Sequence, residues 1–156
     1  MIKKNILFTL ALIMGFTVTG CTAPGAKFTA LQNVGKSNSE VIIYRKKALF
    51  AIAQSMPVLI DGNKSGELYN ASFLQLTVTP GDHSITVTTG MFGKPAEAAV
   101  KLAAGERKFM QFDFPTGVMA NPYFIGITLT ERSEADALAD LKELSSANPL
   151  VTSKQN

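Results

Sequence analysis

The sequence predicts a mainly β protein, a small antiparallel β-sandwich followed by one amphipathic α-helix, and three observations carry that expectation. Short stretches of apolar and polar residues alternate with period two, as half-buried strands do, and are separated by Gly, Pro, Asn and Asp clusters at close spacing. One stretch, residues 40–44, is rich in β-branched and aromatic residues and apolar on both faces through Val41, Ile42, Ile43 and Tyr44, the mark of a strand covered on two sides. Near the C-terminus the period changes from two to that of a helix, with Ala135, Leu138, Leu141 and Leu144 on one stripe.

The elements follow in order. Residues 40–44 (Glu40, Val41, Ile42, Ile43, Tyr44) form the first strand. Residues 46–56 fit either a connection or a short helical turn, with Phe50 among their apolar members. A second strand at 57–60 meets Asp61-Gly62-Asn63-Lys64, which supplies the residues that tolerate positive φ in tight hairpins, before 66–69 returns. Leu74, Leu76 and Val78 alternate with Gln75, Thr77 and Thr79; Pro80-Gly81-Asp82 turns the chain, and Ile85 and Val87 face inward on the return. Strands at 96–102 and 107–114 are joined across 103–106, with Met110, Phe112 and Phe114 on one face. Tyr123, Ile125, Ile127 and Leu129 give a last alternating strand. Ser133 with Asp136 three residues later approximates a capping box for a helix running to about residue 147, where Asn148-Pro149 stops it.

The N-terminus carries an address. Lys3 and Lys4 precede an apolar run from Ile6 to Val18, broken by Thr9, Gly15 and Thr17, which is too short for the ~20 apolar residues a transmembrane helix needs. The run ends at Val18-Thr19-Gly20-Cys21, and Cys21 is the single cysteine of the 156-residue chain. These four residues resemble the lipobox of bacterial lipoproteins, in which the peptidase reads the positions of Val18, Thr19 and Gly20 and the thiol at Cys21 takes a diacylglycerol. The resemblance implies cleavage of the leader at 1–20 and lipidation at Cys21; the mostly small and polar residues that follow, with Pro24, Gly25 and Gly35, read as a flexible tether at 21–39, in which Phe28 and Leu31 are the residues able to touch the body. Thr22 is not the Asp used for inner-membrane retention, so the implied location is the cell envelope, at the outer membrane facing the periplasm.

Composition narrows the function further. Of 15 Lys and Arg, Lys3 and Lys4 belong to the leader, so the remainder nearly balances 12 Asp and Glu and leaves no basic footprint for nucleic acid. One His and one Cys give no metal cluster, and no cofactor motif is present. With Cys21 lipidated no thiol remains for a disulfide, so the body must rest on packing. His83 lacks a Ser, Cys or second His placed to make a nucleophilic pair, and a turn-packing role is expected. Asp61 and Asp82 sit in turns that want Asp for backbone hydrogen bonds. These residues add up to no catalytic constellation, and a non-enzymatic protein is expected.

Residues 40–130 resemble a family of uncharacterised bacterial lipoproteins with a PEGA-like domain. The likeness lies in Val41-Ile42-Ile43-Tyr44-Arg45, Val58-Leu59-Ile60-Asp61-Gly62, Gly66-Glu67-Leu68, Asn70-Ala71-Ser72-Phe73, Leu76 and Pro80-Gly81-Asp82-His83-Ser84-Ile85. Lys46 and Ala71-Ser72 depart from the usual Pro and glycines of that pattern. The resemblance implies a β-sandwich displayed in the envelope without known enzymatic activity, leaving 131–156 as helix and tail. Arg45, Lys46 and Lys47 read as a solvated, charge-guarded strand edge, with anionic headgroups or glycan as the functional alternative. Met91 and Phe92, between Gly90 and Gly93, are expected to fold back and cap the sandwich, with contact to a membrane or partner as the alternative; an exposed patch of Phe50, Met91 and Phe92 would mark them as contacts for an envelope protein. A carbohydrate-binding module is the second reading and an inhibitor of a hydrolase the third; the glycan reading needs exposed rings from Tyr44, Tyr69 and Tyr123.

Overall fold

The computed structural model describes residues 23–90, 93–114 and 127–148. The strands are β1 (Ser39–Arg45), β2 (Met56–Ile60), β3 (Asn63–Leu68), β4 (Ser72–Val78), β5 (Gly81–Val87), β6 (Ala96–Leu102), β7 (Arg107–Asp113), β8 (Thr128–Arg132) and β9 (Ser145–Ser146); a helix, α1 (Glu134–Leu141), lies between β8 and β9. They form two sheets, one in the order β8-β7-β1-β4-β9 and the other β3-β2-β5-β6. The sandwich is mainly β, as expected.

β1 is buried over its whole length. Its odd-numbered residues Val41 and Ile43 enter the core between the sheets with Met56, Val58, Leu68, Leu74, Ile85, Val87, Val100 and Phe112. Ile42 and Tyr44 point the other way, into a second cluster with Phe73, Phe109, Ala137, Leu141 and Leu144. That second layer explains the two-faced apolar reading of this stretch.

Pairing directions differ from the antiparallel expectation at two places. β1 runs antiparallel to β4 but parallel to β7, and β9 runs parallel to β4. Side-chain alternation is the same in both arrangements, so period two carries no information about direction. The chain between β1 and β7 visits the opposite sheet, which supplies the long crossover that parallel neighbours require.

The β2–β3 hairpin closes where expected. Asp61 and Gly62 both take positive φ, 50° and 78°, which matches the right-handed twist of the strands. Ser65 is an extra residue against Val58 and Leu59 in this pair, a β-bulge. By contrast, Pro80-Gly81 closes no hairpin: β4 and β5 belong to different sheets, and the turn carries the chain across the core. The link at 103–106 makes the same kind of crossing between β6 and β7.

Two boundaries move. The last strand is β8 at Thr128–Arg132; Tyr123 and Ile125 lie outside the described residues, and Ile127 packs against the core. The helix ends at Leu141, capped by Lys142, so Leu144 is buried from a turn rather than from the helix, and Ala135 is exposed. Its start is as expected, with the Ser133 hydroxyl accepting from the Asp136 N–H at 3.2 Å.

Residues 25–28, expected to be part of a free tether, are stitched to β9. The Gly25 N–H donates to the Ser146 carbonyl (2.9 Å), Ser146 returns a bond to Ala26 (2.8 Å), and Phe28 donates to Leu144 (2.9 Å). A Cβ at Gly25 would lie 2.6 Å from the backbone oxygens of Ser146 and Asn148, so this approach needs glycine. The Phe28 ring meets Phe73 edge-on at 5.6 Å. Burial of Phe28 and Leu31 on the outer cluster outweighs the small, polar composition around them.

His83 does what was expected of it, holding turns. Its Nδ1 lies 2.7 Å from Asp61 Oδ2 and its Nε2 2.8 Å from the Thr79 carbonyl, while Asp61 Oδ1 accepts from the Ser84 N–H at 2.8 Å. Both ring nitrogens face acceptors, which favours the imidazolium. The hydrogen bond to Asp61 accordingly raises the His83 pKa above its ordinary 6.5, and the same bond lowers Asp61 below 3.8. Stability from His83 is therefore complete below pH 6.5 and lost as pH rises through its raised value; that from Asp61 is complete above 3.8 and lost as pH falls through its lowered value. Urea midpoints should show that alkaline loss in the parent protein and a flatter alkaline limb in His83→Gln; identical limbs would contradict the clamp.

Candidate interaction loop on a buried arginine

Arg45 ends β1 on the same side as Val41 and Ile43, and that parity sends it into the protein. It is 1% exposed, so the solvated strand edge expected here is corrected: only Lys46 and Lys47 are exposed. Lys46 pairs with Asp140 of α1 at 2.9 Å.

The buried guanidinium binds backbone instead of a carboxylate. Nη1 donates to the Gln54 carbonyl at 2.9 Å, and Nη2 donates to Ala51 at 2.8 Å and Phe50 at 3.1 Å. Cζ lies 5.4 Å from the centroid of the Phe114 ring. Nε has no hydrogen-bond partner. Burial lowers the pKa to about 10, which still leaves a cation at neutral pH. Three carbonyls converging on one cation fix the curvature of residues 50–54, and Ala51 is held at a φ of 51°, a left-handed conformation unfavourable for a residue with a Cβ. The stem is pinned elsewhere too, since the Ala48 N–H donates to Asn70 Oδ1 at 2.9 Å.

This fixed loop turns Phe50 inward and leaves Leu49 and Ile52 outward. Phe50 is half-buried, packed edge-on against Phe114 at 5.0 Å, with Phe114 in turn 5.2 Å from Phe112. Leu49 is 88% exposed and Ile52 50% exposed. The exposed apolar side chains of this segment are therefore Leu49 and Ile52 rather than Phe50, an exposure that sequence reasoning did not single out. One signal was present: in Leu49-Phe50 the larger aromatic gains more from burial and takes the inward place. Met91 and Phe92, like Val18, Thr19, Gly20 and Cys21, lie outside the described residues. A backbone approach joins the flanking glycine to the same end, since a Cβ on Gly90 would stand 3.7 Å from Gln54 Nε2.

Other polar groups are committed to structure. Glu40, 2% exposed, meets Arg107 Nε at 2.6 Å and Gln75 Nε2 at 2.8 Å beside a groove of about 420 Å³ under residues 26–32. Tyr44 is fully buried with its hydroxyl 3.2 Å from Asp140, which with burial raises its pKa, and Tyr69 is half-buried. Tyr123 lies outside the described residues. Among the described residues no group of three His, Cys, Asp or Glu is placed to hold a metal, and no helix is long and apolar enough to cross a membrane.

Replacing Arg45 with Met should cost about 2–4 kcal/mol, because the carbonyls of Phe50 and Gln54 lose the guanidinium donor and that of Ala51 keeps only the Gln54 N–H at 3.1 Å. It should also open residues 46–54 to protease, and Arg45→Lys should fail to restore either property, since one ammonium cannot reproduce the planar fork. Urea unfolding and limited proteolysis read both effects; a Met variant as stable and as resistant as its parent would remove the arginine from this role.

No curated protein matches the chain. A family model described as protein of unknown function, DUF2846, matches residues 35–126, from just before β1 to beyond β7, and so includes Arg45 and its whole loop. That match spans more than half of the sequence, and the chain belongs to the DUF2846 family.

Proposed function

We propose that this DUF2846 protein is a non-enzymatic lipoprotein of the cell envelope, lipid-anchored at Cys21, whose sandwich presents residues 46–54 to an envelope protein partner. The observation that carries the reading is the use of a buried Arg45 to fix a loop whose tip leaves Leu49 and Ile52 in water. A rigid apolar tip is a costly feature for an isolated domain and a useful one for a partner, because little loop entropy is lost on contact. The lipobox-like Val18-Thr19-Gly20-Cys21 and the PEGA-like pattern support the envelope location, and Thr22 in place of the retention Asp supports the outer membrane. Burial of Tyr44 withdraws one of the three tyrosine rings available to a glycan platform, which supports protein over carbohydrate as the partner.

Two experiments test the reading in whole cells. A photo-crosslinking residue at position 49 should trap a discrete protein neighbour, and Ile52→Asp in that background should reduce the adduct about tenfold. Recovery of glycan alone would reverse the choice of partner. Mass spectrometry of the processed chain should show an acylated Cys21, and Cys21→Ser should free the protein from washed envelopes; an unmodified thiol would remove the anchor.

A further inference from the structure

β6 is a seven-residue strand at the edge of its sheet, paired with β5 on one side and hydrogen-bonded to no described strand on the other, where β8 of the facing sheet approaches it without pairing. The N–H and C=O groups of that outer edge form a template for another strand. Its side chains alternate cleanly: Ala96, Val100 and Leu102 are buried, while Glu97, Ala99 and Lys101 are exposed. Neither Glu97 nor Lys101 forms an ion pair among the described residues.

We propose that two copies of this chain associate through their β6 strands, antiparallel about a two-fold axis at Ala99, joining the two four-stranded sheets into one. The charge pattern selects this arrangement. Centred on Ala99, the pairing sets Glu97 of each copy opposite Lys101 of the other, two identical cross-strand ion pairs on the solvent face. The inward row then continues without a break, Ala98 opposite Val100 and Ala96 opposite Leu102. Centring on Lys101 would oppose lysine to lysine, and centring on Glu97 would oppose glutamate to glutamate. A register shifted by one residue puts the outward row of one copy on the same face as the inward row of the other. A guard of single sign would repel a second copy in every register; this one leaves a single register attractive. The small residues Ala96, Ala98 and Ala99 put no bulk in the way, and the symmetry closes the assembly at two.

The test uses the full chain in isolated envelopes, with copper-catalysed oxidation read on a non-reducing gel. Ala99→Cys puts its two thiols at the axis, where opposed Cα atoms of an antiparallel pair lie within disulfide range. This variant should give a covalent dimer well above the parent chain, whose only cysteine is Cys21. Adding Lys101→Glu, which turns both contacts into like-charge pairs, should lower the yield about tenfold, and adding Glu97→Lys as well should restore it. The reversed side chains are exposed, and restoration by the double reversal separates lost pairing from lost folding. The proposal is overturned if Ala99→Cys dimerises no more than the parent, if Lys101→Glu leaves the yield unchanged, or if the double reversal fails to recover it.

Discussion

The central strand β1 has to satisfy two cores at once, and the arrangement of everything else follows from that demand. With β4 on one side and β7 on the other, its backbone groups are spent within the sheet, and its side chains alternate into two separate apolar layers. The inner layer is closed by the second sheet. The outer one needs a lid, which α1, the turn at Leu144 and the stretch from Phe28 to Leu31 supply together. Burying a Leu, Ile or Phe side chain is worth roughly 1.5–3 kcal/mol, so a strand with both rows covered concentrates stability in few residues. It also leaves no position on β1 where a charge is cheap.

Arg45 makes sense against that background. At the strand's last position, on the inward row, it meets the end of the core where β1 leaves the sheet and the chain crosses toward β2. A buried cation is tolerable when its donors find strong acceptors, and the carbonyls of Phe50, Ala51 and Gln54 are backbone groups that need donors themselves. Each side solves the other's problem. The outcome is a loop whose shape is set from inside the protein, so that its surface residues are free to be chosen for contact rather than for folding.

Much of this fold was legible because it depends on local chemistry. Asp61-Gly62 announces its hairpin through positive φ, Ser133 announces the helix start through its cap, and the rows of β5, β6 and β7 announce their faces through period two. What the pattern omits is non-local. Alternation does not distinguish parallel from antiparallel neighbours, nor a hairpin from a crossing between sheets, so the roles of Pro80-Gly81 and of residues 103–106 emerge only in three dimensions. Leu144 keeps to the helical stripe in sequence but reaches the same cluster from a turn, which hides the helix end at Leu141. At the loop, charge misled: Arg45 was grouped with Lys46 and Lys47 by chemistry, whereas its parity with Val41 and Ile43 decides its place. The exposure of Leu49 follows from the loop's curvature, which the guanidinium sets; the local pattern offers only the preference of the larger Phe50 for the inward place.

The stitching of residues 25–28 to β9 changes what an anchor at Cys21 implies. A long flexible tether would let the sandwich sample any height and orientation above a bilayer. Among the described residues the first backbone hydrogen bond is made at Gly25, four residues after Cys21, and four residues span at most about 14 Å. On the proposed lipidated reading the body therefore sits close to the headgroups, with the sheet edge formed by β9 nearest the attachment point along the chain. Pairing through β6, at the edge of the opposite sheet, would then join two anchored bodies, and two anchors hold a membrane far longer than one. Anchor proximity and a self-complementary edge reinforce each other: confining copies to a surface raises their effective concentration, so even a short strand pairing becomes significant there.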